Sequence, residues 1–312
     1  MKKTQDHGGG IDAAAQKFGG NRNDWIDLST GINPVPYPIG TIDDNAWAAL
    51  PDQAAQTNLI EAARQFWNVP EQVAILATPG ASAPIAMIPR LQTAGRVHIA
   101  APTYNEHAAA FTANGWQVSN GPADAQVVVH PNNPDGRLFA ASDLNAPLRI
   151  IDESFCDVMP DASLLSQTTR ADTLVLKSFG KFWGLAGLRL GFVIGPPALV
   201  DQIAQMLGPW PVAGPALSIG ARALKDPQWA EQTRLRLTAD ADRLDRLITA
   251  KDAKLIGGTS LFRLYEVDSA PAWQDRLAHH HIWSRSFPYN SKWLRLGLPA
   301  PHQWLRIESA LA

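Results

Sequence analysis

Cysteine is almost missing from these 312 residues: Cys156 stands alone, which leaves no internal disulfide and no cysteine-rich zinc site. No run approaches the roughly 18 consecutive apolar residues of a membrane-spanning helix. Lys2 and Lys3 are not followed by the apolar segment of a secretory signal. Charge of one sign is lacking as well. The 27 Lys and Arg face 29 Asp and Glu, a formal net charge of −2, so neither nucleic acid nor an anionic membrane is expected as a partner. No repeat period and no low-complexity tract stands out. No Gly-x-Gly-x-x-Gly run opens a βαβ unit, which sets aside a nicotinamide-binding Rossmann enzyme. His279-His280-His281 cannot share one helix face and has no carboxylate at a zincin-like spacing, so no metal is expected.

What remains is the composition of a globular protein with a core, at 46% hydrophobic and 18% charged residues. A chain of this length is expected to form two lobes, and its single thiol fits the reducing cytoplasm. Residues 1–40 are rich in Gly, Pro, Asn and Asp and read as an extended N-terminal arm with little regular structure. Leu59, Ile60, Ala63 and Phe66 fall at helical spacing over 57–68. Short apolar runs follow at 73–76, 97–100, 127–129, 148–151, 174–176 and 192–194, most of them separated by helical or turn-rich stretches. That alternation predicts an α/β layer around a largely parallel sheet, over 41–212. Pro209-Trp210-Pro211-Val212 marks the passage to a smaller C-terminal domain over 213–312. There a helical region at about 216–250, interrupted near Pro227, precedes short strands at 261–264 and 293–296.

In open α/β sheets, ligands gather at the carboxyl ends of the strands. The most informative residue there is Lys181, on the small-residue loop Lys177-Ser178-Phe179-Gly180-Lys181 after the run at 174–176. Taken alone it is also an ordinary surface lysine. Delivered from a strand end, with Ser178 and Arg189 nearby, it suits an amine that condenses with the aldehyde of pyridoxal phosphate, whose phosphate Ser178 and Arg189 could hold. The other strand ends extend that reading, although each has an everyday alternative as a turn or core residue. Gly80-Ala81-Ser82 offers backbone N–H groups to a phosphate. Tyr104 could stack on a pyridine ring. Asn133, between Pro131 and Pro134, could donate to the ring oxygen. Asp152 could pair with a protonated pyridine nitrogen, which its position at the end of a hydrophobic strand would otherwise make costly. These features occur once each, in order along the chain.

Thr78-Pro79-Gly80-Ala81, Pro131-Asn132-Asn133-Pro134-Asp135-Gly136, Asp152-Glu153-Ser154-Phe155 and Ser178-Phe179-Gly180-Lys181 with Gly187-Leu188-Arg189-Leu190-Gly191 resemble the fold-type I pyridoxal-phosphate enzymes of the class I/II aminotransferase group. The resemblance implies a large cofactor domain with a mostly parallel sheet flanked by helices, a smaller C-terminal α+β domain, and a homodimer. It implies that Lys181 carries the cofactor, Asp152 meets the pyridine nitrogen, Asn133 meets the ring oxygen, Tyr104 stacks on the ring, and Gly80, Ala81, Ser82, Ser178 and Arg189 surround the phosphate. Arg295, in Trp293-Leu294-Arg295-Leu296-Gly297, is similar to the family arginine that holds a substrate α-carboxylate.

Two positions depart from the usual aminotransferase pattern. Phe155 stands where many members carry tyrosine, which removes a donor from the ring oxygen. Leu50-Pro51-Asp52 stands where relatives often carry Tyr-Pro-Asp, which removes a tyrosine expected to reach the neighbouring subunit's phosphate. His7-Gly8-Gly9, the segment Asp27-Leu28-Ser29-Thr30-Gly31-Ile32-Asn33-Pro34 and Gly257-Gly258-Thr259-Ser260-Leu261-Phe262-Arg263 resemble the threonine-phosphate decarboxylases of cobalamin biosynthesis. Histidinol-phosphate aminotransferases are the alternative. The decarboxylase resemblance implies a small phosphorylated amino acid as substrate, held by candidates His7, Gly31, Ile32, Asn33, Arg285 and Arg295. A pyridoxal-binding transcription regulator is set aside because it needs an N-terminal DNA-binding module of about sixty residues.

Overall fold

The computed structural model describes residues 7–312; residues 1–6, with the Lys2-Lys3 pair, lie outside the described part. The chain forms two compact units, one of residues 36–133 and 138–231, the other of residues 7–35, 134–137 and 232–312. The boundary after the sheet region, expected at 212, falls at 231. The helix Gly214–Leu224 belongs to the first unit, where Gly220 lets Leu59 of the helix Gln53–Phe66 approach closely. No helix among the described residues is long and apolar enough to cross a membrane.

The first unit is built on a seven-stranded sheet, in the order Ala74–Thr78, Gly191–Gly195, Thr173–Ser178, Leu148–Asp152, Ala125–Val129, Arg96–Ile99, Gln117–Val118. Only Gly191–Gly195 runs against its neighbours. Strands Ala125–Val129, Leu148–Asp152 and Gly191–Gly195 are buried along their whole length, which is why they read as unbroken apolar runs rather than as alternation. Val127, Leu148, Ile150, Leu174, Leu176 and Val193 pack with Phe111 and Ile203 from flanking helices into one core. Helix Gln53–Phe66 starts at Asp52, whose side chain accepts from the Ala55 N–H, a cap worth about 1 kcal/mol. Because Ser178 and Thr78 both stand opposite Gly191, the reversed strand begins where the parallel strands end. Arg189 therefore enters the same edge as Lys181.

The second unit holds a four-stranded antiparallel sheet, ordered Arg285–Phe287, Asn290–Gly297, Phe262–Glu266, Lys254–Thr259, and a short parallel pair between Ile26–Asp27 and Ile282–Trp283. Gly257 and Gly258 in this sheet permit close approach: a Cβ on Gly257 would collide with the Asp135 carbonyl, and one on Gly136 with the Gly258 carbonyl. The arm expected to lack regular structure contains the helix Ile11–Phe18. Ile11 and Ala14 are buried on its inner face with Trp25 and Ala278, and Ala15 and Phe18 pack beside them; this helical period is hidden between flanking glycines.

Candidate active site

Five strand ends and the turn before the reversed strand converge on one cavity in the first unit. It is lined by Ala81, Ser82, Tyr104, Asn133, Asp152, Phe155, Ser178, Lys181 and Arg189, with Ile85, Val129, Ser154, Gly180 and Ala186 completing the wall. Nine of the ten residues singled out from the sequence as cofactor ligands thus share it. The tenth, Gly80, lies beneath the Arg189 guanidinium, where a Cβ would collide with Nη2. Gly80 has a φ of 78°, so glycine serves both the backbone and the close approach. Arg189 itself adopts a left-handed φ of 53°, a conformation rare for a long side chain and found where the surroundings over-determine it.

Asp152 is 2% exposed at the end of its strand. His107 Nε2 lies 2.8 Å from its Oδ2, and Ser154 donates to Oδ1 from both its backbone N–H (3.0 Å) and its hydroxyl (2.5 Å). Burial pushes the carboxyl upward, but the bonds from His107 and Ser154 outweigh it and hold Asp152 below the usual carboxylate range. The site therefore presents a fixed anion to the cavity. The Tyr104 phenol is pushed up to about 12, chiefly by burial and further by Glu106 and Asp152, so it stays protonated. Lys181 Nζ stands 5.3 Å from the centre of the Phe155 ring. Thr103 donates to Asn132 Oδ1 at 2.6 Å, and Asn132 Nδ2 donates to the Pro102 carbonyl at 3.0 Å. Asn132 thus ties two loops together, while its neighbour Asn133 lines the cavity.

His107 and Ser154 were not legible as site residues. His107 lies three residues after Tyr104, one turn into the helix Asn105–Ala113, and that spacing is the one available signal. Cys156 is buried, with Sγ 3.7 Å from the Met159 carbonyl. His130, Glu153 and Cys156 bring potential ligand atoms within 4.8 Å of one another. Both His130 nitrogens are already engaged, however, with the Ala162 carbonyl at 2.7 Å and the Phe139 N–H at 3.0 Å. His279 and His281 pack edge-on to Phe18 and against Trp25 respectively.

The candidate substrate residues all lie in the second unit. Arg285 and Arg295 are direct partners across the antiparallel pair of strands. Arg295 is 5% exposed and donates to the Ser29 carbonyl at 2.6 Å. Burial first, then the Arg285 cation, lowers its pKa. Arg285 donates to the His7 carbonyl at 2.8 Å, so it is the backbone of His7 that this contact uses. Asn33 is buried, and its Oδ1 accepts from Val35 N–H and from Arg236 Nη2 at 2.6 Å. Gly31 is buried and Ile32 half-buried in the stretch from Ser29 to Asn33.

The model of aminotransferase class I and II matches residues 23–311. The chain belongs to the class I and II aminotransferase family. Within it, the chain is 38% identical over 329 residues to a threonine-phosphate decarboxylase of a Sinorhizobium species, covering 98% of this chain and 97% of the relative. A second threonine-phosphate decarboxylase, from Pseudomonas aeruginosa, is likewise 38% identical over 326 residues, at 98% and 97% coverage. Among solved structures, a histidinol-phosphate aminotransferase from Sinorhizobium meliloti in complex with pyridoxal-5'-phosphate superposes with a TM-score of 0.83 at 17% identity, covering 97% of this chain and 94% of that one. That level of identity speaks to the fold, which is that of the family.

Proposed function

We propose that this chain is a pyridoxal-phosphate-dependent decarboxylase that converts O-phospho-L-threonine to (R)-1-amino-2-propanol O-phosphate, for cobalamin biosynthesis. The observation that carries the reading is the near full-length match to two threonine-phosphate decarboxylases. The residues of the cavity fit the cofactor. An anion held below the carboxylate range suits a pyridinium nitrogen, a glycine-backed guanidinium beside hydroxyls suits a phosphate, and an amine and a phenol stand on the same wall.

When bound, pyridoxal phosphate supplies an aldehyde that joins amines and a ring that takes up the electron pair of a breaking Cα bond. Lys181 is the amine that holds it between turnovers. Asp152, fixed by His107 and Ser154, keeps a proton on the ring nitrogen. Tyr104 packs on the ring, Asn133 donates to its oxygen, and Ala81, Ser82, Ser178 and Arg189 hold the phosphate. Which bond to Cα breaks would follow from how these residues hold the substrate. Arg285 and Arg295 would bind its two anionic groups, and anchoring the remote phosphate would help decide which bond to Cα is set to break. Lys181 Nζ would deliver the proton that Cα takes up in place of the lost carboxylate.

The protein acts as a homodimer in the cytoplasm. Twofold dimers are the commonest assemblies, and the first unit leaves Trp47, Leu50 and Trp210 at 69%, 67% and 52% exposure, an apolar display that a second copy would cover. Light scattering that gives a monomer mass would refute this part. The activity test incubates protein and pyridoxal phosphate with O-phospho-L-threonine and measures carbon dioxide and aminopropanol phosphate. A parallel reaction with histidinol phosphate and 2-oxoglutarate is assayed for glutamate. Glutamate without carbon dioxide would overturn the decarboxylase reading in favour of the aminotransferase.

A further inference from the structure

Behind the cavity lies a buried group of charges that none of the roles above uses. Asp152 and Glu153 are consecutive, as are Lys177 and Ser178, and alternation along a strand sends one of each pair to the face away from the cavity. Glu153 and Lys177 are those two, at 1% and 2% exposure, with Lys177 Nζ 2.7 Å from Glu153 Oε2. Glu153 also accepts from the Ser163 hydroxyl at 2.8 Å and the Leu164 N–H at 2.6 Å.

Asp157, 5% exposed, completes the group. Its Oδ1 lies 3.4 Å from Lys177 Nζ and accepts from Trp67 Nε1 at 2.9 Å, while Oδ2 accepts from Trp183 Nε1 at 3.1 Å. Trp183 is fully buried and stacked between Phe179 and Trp229, at centroid distances of 5.0 Å and 5.3 Å. The loop that carries Ser178 and Lys181 is thereby held at both ends, Lys177 before it and Trp183 after it, by one carboxylate. That carboxylate comes from the segment that continues directly from Asp152. Glu153, Asp157, Lys177, Trp67 and Trp183 are all absent from the cavity lining.

Replacing a buried group of charges by apolar side chains of the same volume is often neutral or stabilising. Stability therefore gives no reason for the group, whereas geometry does. We propose that Asp157 is a positioning residue: through Lys177 and Trp183 it fixes where Lys181 stands relative to Asp152. This rests on Lys181 being the amine that takes the cofactor.

The test compares Asp157→Asn and Trp183→Phe with wild type, as full-length protein loaded with pyridoxal phosphate. Borohydride reduction and peptide mapping first establish that the label sits on Lys181. If wild type is not labelled there, the cofactor reading itself fails, and this inference with it. With labelling in place, the expected result for Asp157→Asn is a kcat lowered about a hundredfold, the cost of misplacing a reacting group by about 1 Å. KM should stay within about twofold, because substrate binding is untouched. The pH midpoint of the visible cofactor band should move. Trp183→Phe keeps a six-membered ring in the stack but removes the pyrrole ring with its N–H, and should lower kcat at least about tenfold, one hydrogen bond's worth to a charged group. Folded variants, matched to wild type by circular dichroism, that keep wild-type kcat and band midpoint would overturn the proposal. Should Asp157→Asn fail to fold, Trp183→Phe decides alone.

Discussion

Replacing His107 with Leu removes the one imidazole that touches Asp152, and its consequence can be worked from the geometry. Both side chains are buried, at 2% and 3% exposure, and 2.8 Å apart. A hydrogen bond to a charged group is worth about 1.5–3 kcal/mol. Its loss therefore raises the Asp152 pKa. The two bonds from Ser154 remain, so the carboxylate is weakened rather than abandoned. The sign follows from linkage. Asp152 is depressed in the folded protein, so its contribution is present above the unfolded value of about 3.9 and is lost as pH falls through the folded value. In the variant the folded value lies higher. The stability penalty should therefore be about 1.5–3 kcal/mol near neutral pH, where both proteins hold an anion, and should shrink on acidification, where both hold a neutral acid. Urea unfolding of wild type and His107→Leu between pH 7 and pH 2 measures it. A penalty that is the same across this range would refute the assignment of the bond to a carboxylate anion.

Phe155→Tyr adds a phenol beside the cofactor oxygen, and the pH midpoint of the visible band should fall below that of wild type; an equal or higher midpoint counts against Phe155 facing that oxygen. Tyr104 should resist ionisation until about pH 12, read at 295 nm against a Tyr104→Phe reference. Because this phenol is raised in the folded protein, its contribution is complete below the unfolded value of about 10 and is lost as pH rises towards 12, so Tyr104→Phe should lose less stability over that interval than wild type. Arg285→Ala should raise KM for O-phospho-L-threonine about 10- to 100-fold with the cofactor band unchanged. His7→Ala, which keeps the carbonyl that Arg285 uses, should raise KM less, and a larger effect than that of Arg285→Ala would assign the imidazole a direct contact.

Where the chain could be read in advance, one physical circumstance explains it. Strands covered on both faces, such as Leu148–Asp152 and Gly191–Gly195, appear as short apolar runs. The polar residue that follows such a run stands at the edge where a ligand binds. Tyr104, Asn133, Asp152 and Lys181 were found that way. The helix Ile11–Phe18 was not, because its apolar period of Ile11, Ala14, Ala15 and Phe18 lies among glycines, which lower the expectation of any helix. His107 was hidden for a different reason. Nothing in Asn105-Glu106-His107-Ala108 says which helix face meets the sheet, and only packing turns this ring toward Asp152. Nothing in the sequence joins Lys177, Glu153 and Asp157, since pairing across strands is invisible until register is known.

Register also gives the arginines of the second unit their meaning. Arg285 and Arg295 are ten positions apart in sequence, yet they stand directly opposite one another on adjacent strands. Like charges in that relation destabilise a sheet. Ser29 and His7 carbonyls each receive one guanidinium, and the rings of Phe262 and Phe287 lie 5.3 Å from Arg295 and Arg285 respectively. Asp27 acts on the Arg295 cation as well, against the repulsion from Arg285. On the proposed function, a substrate bearing both a carboxylate and a phosphate would bring one anionic group to each of these arginines, and their mutual repulsion would ease as it arrives.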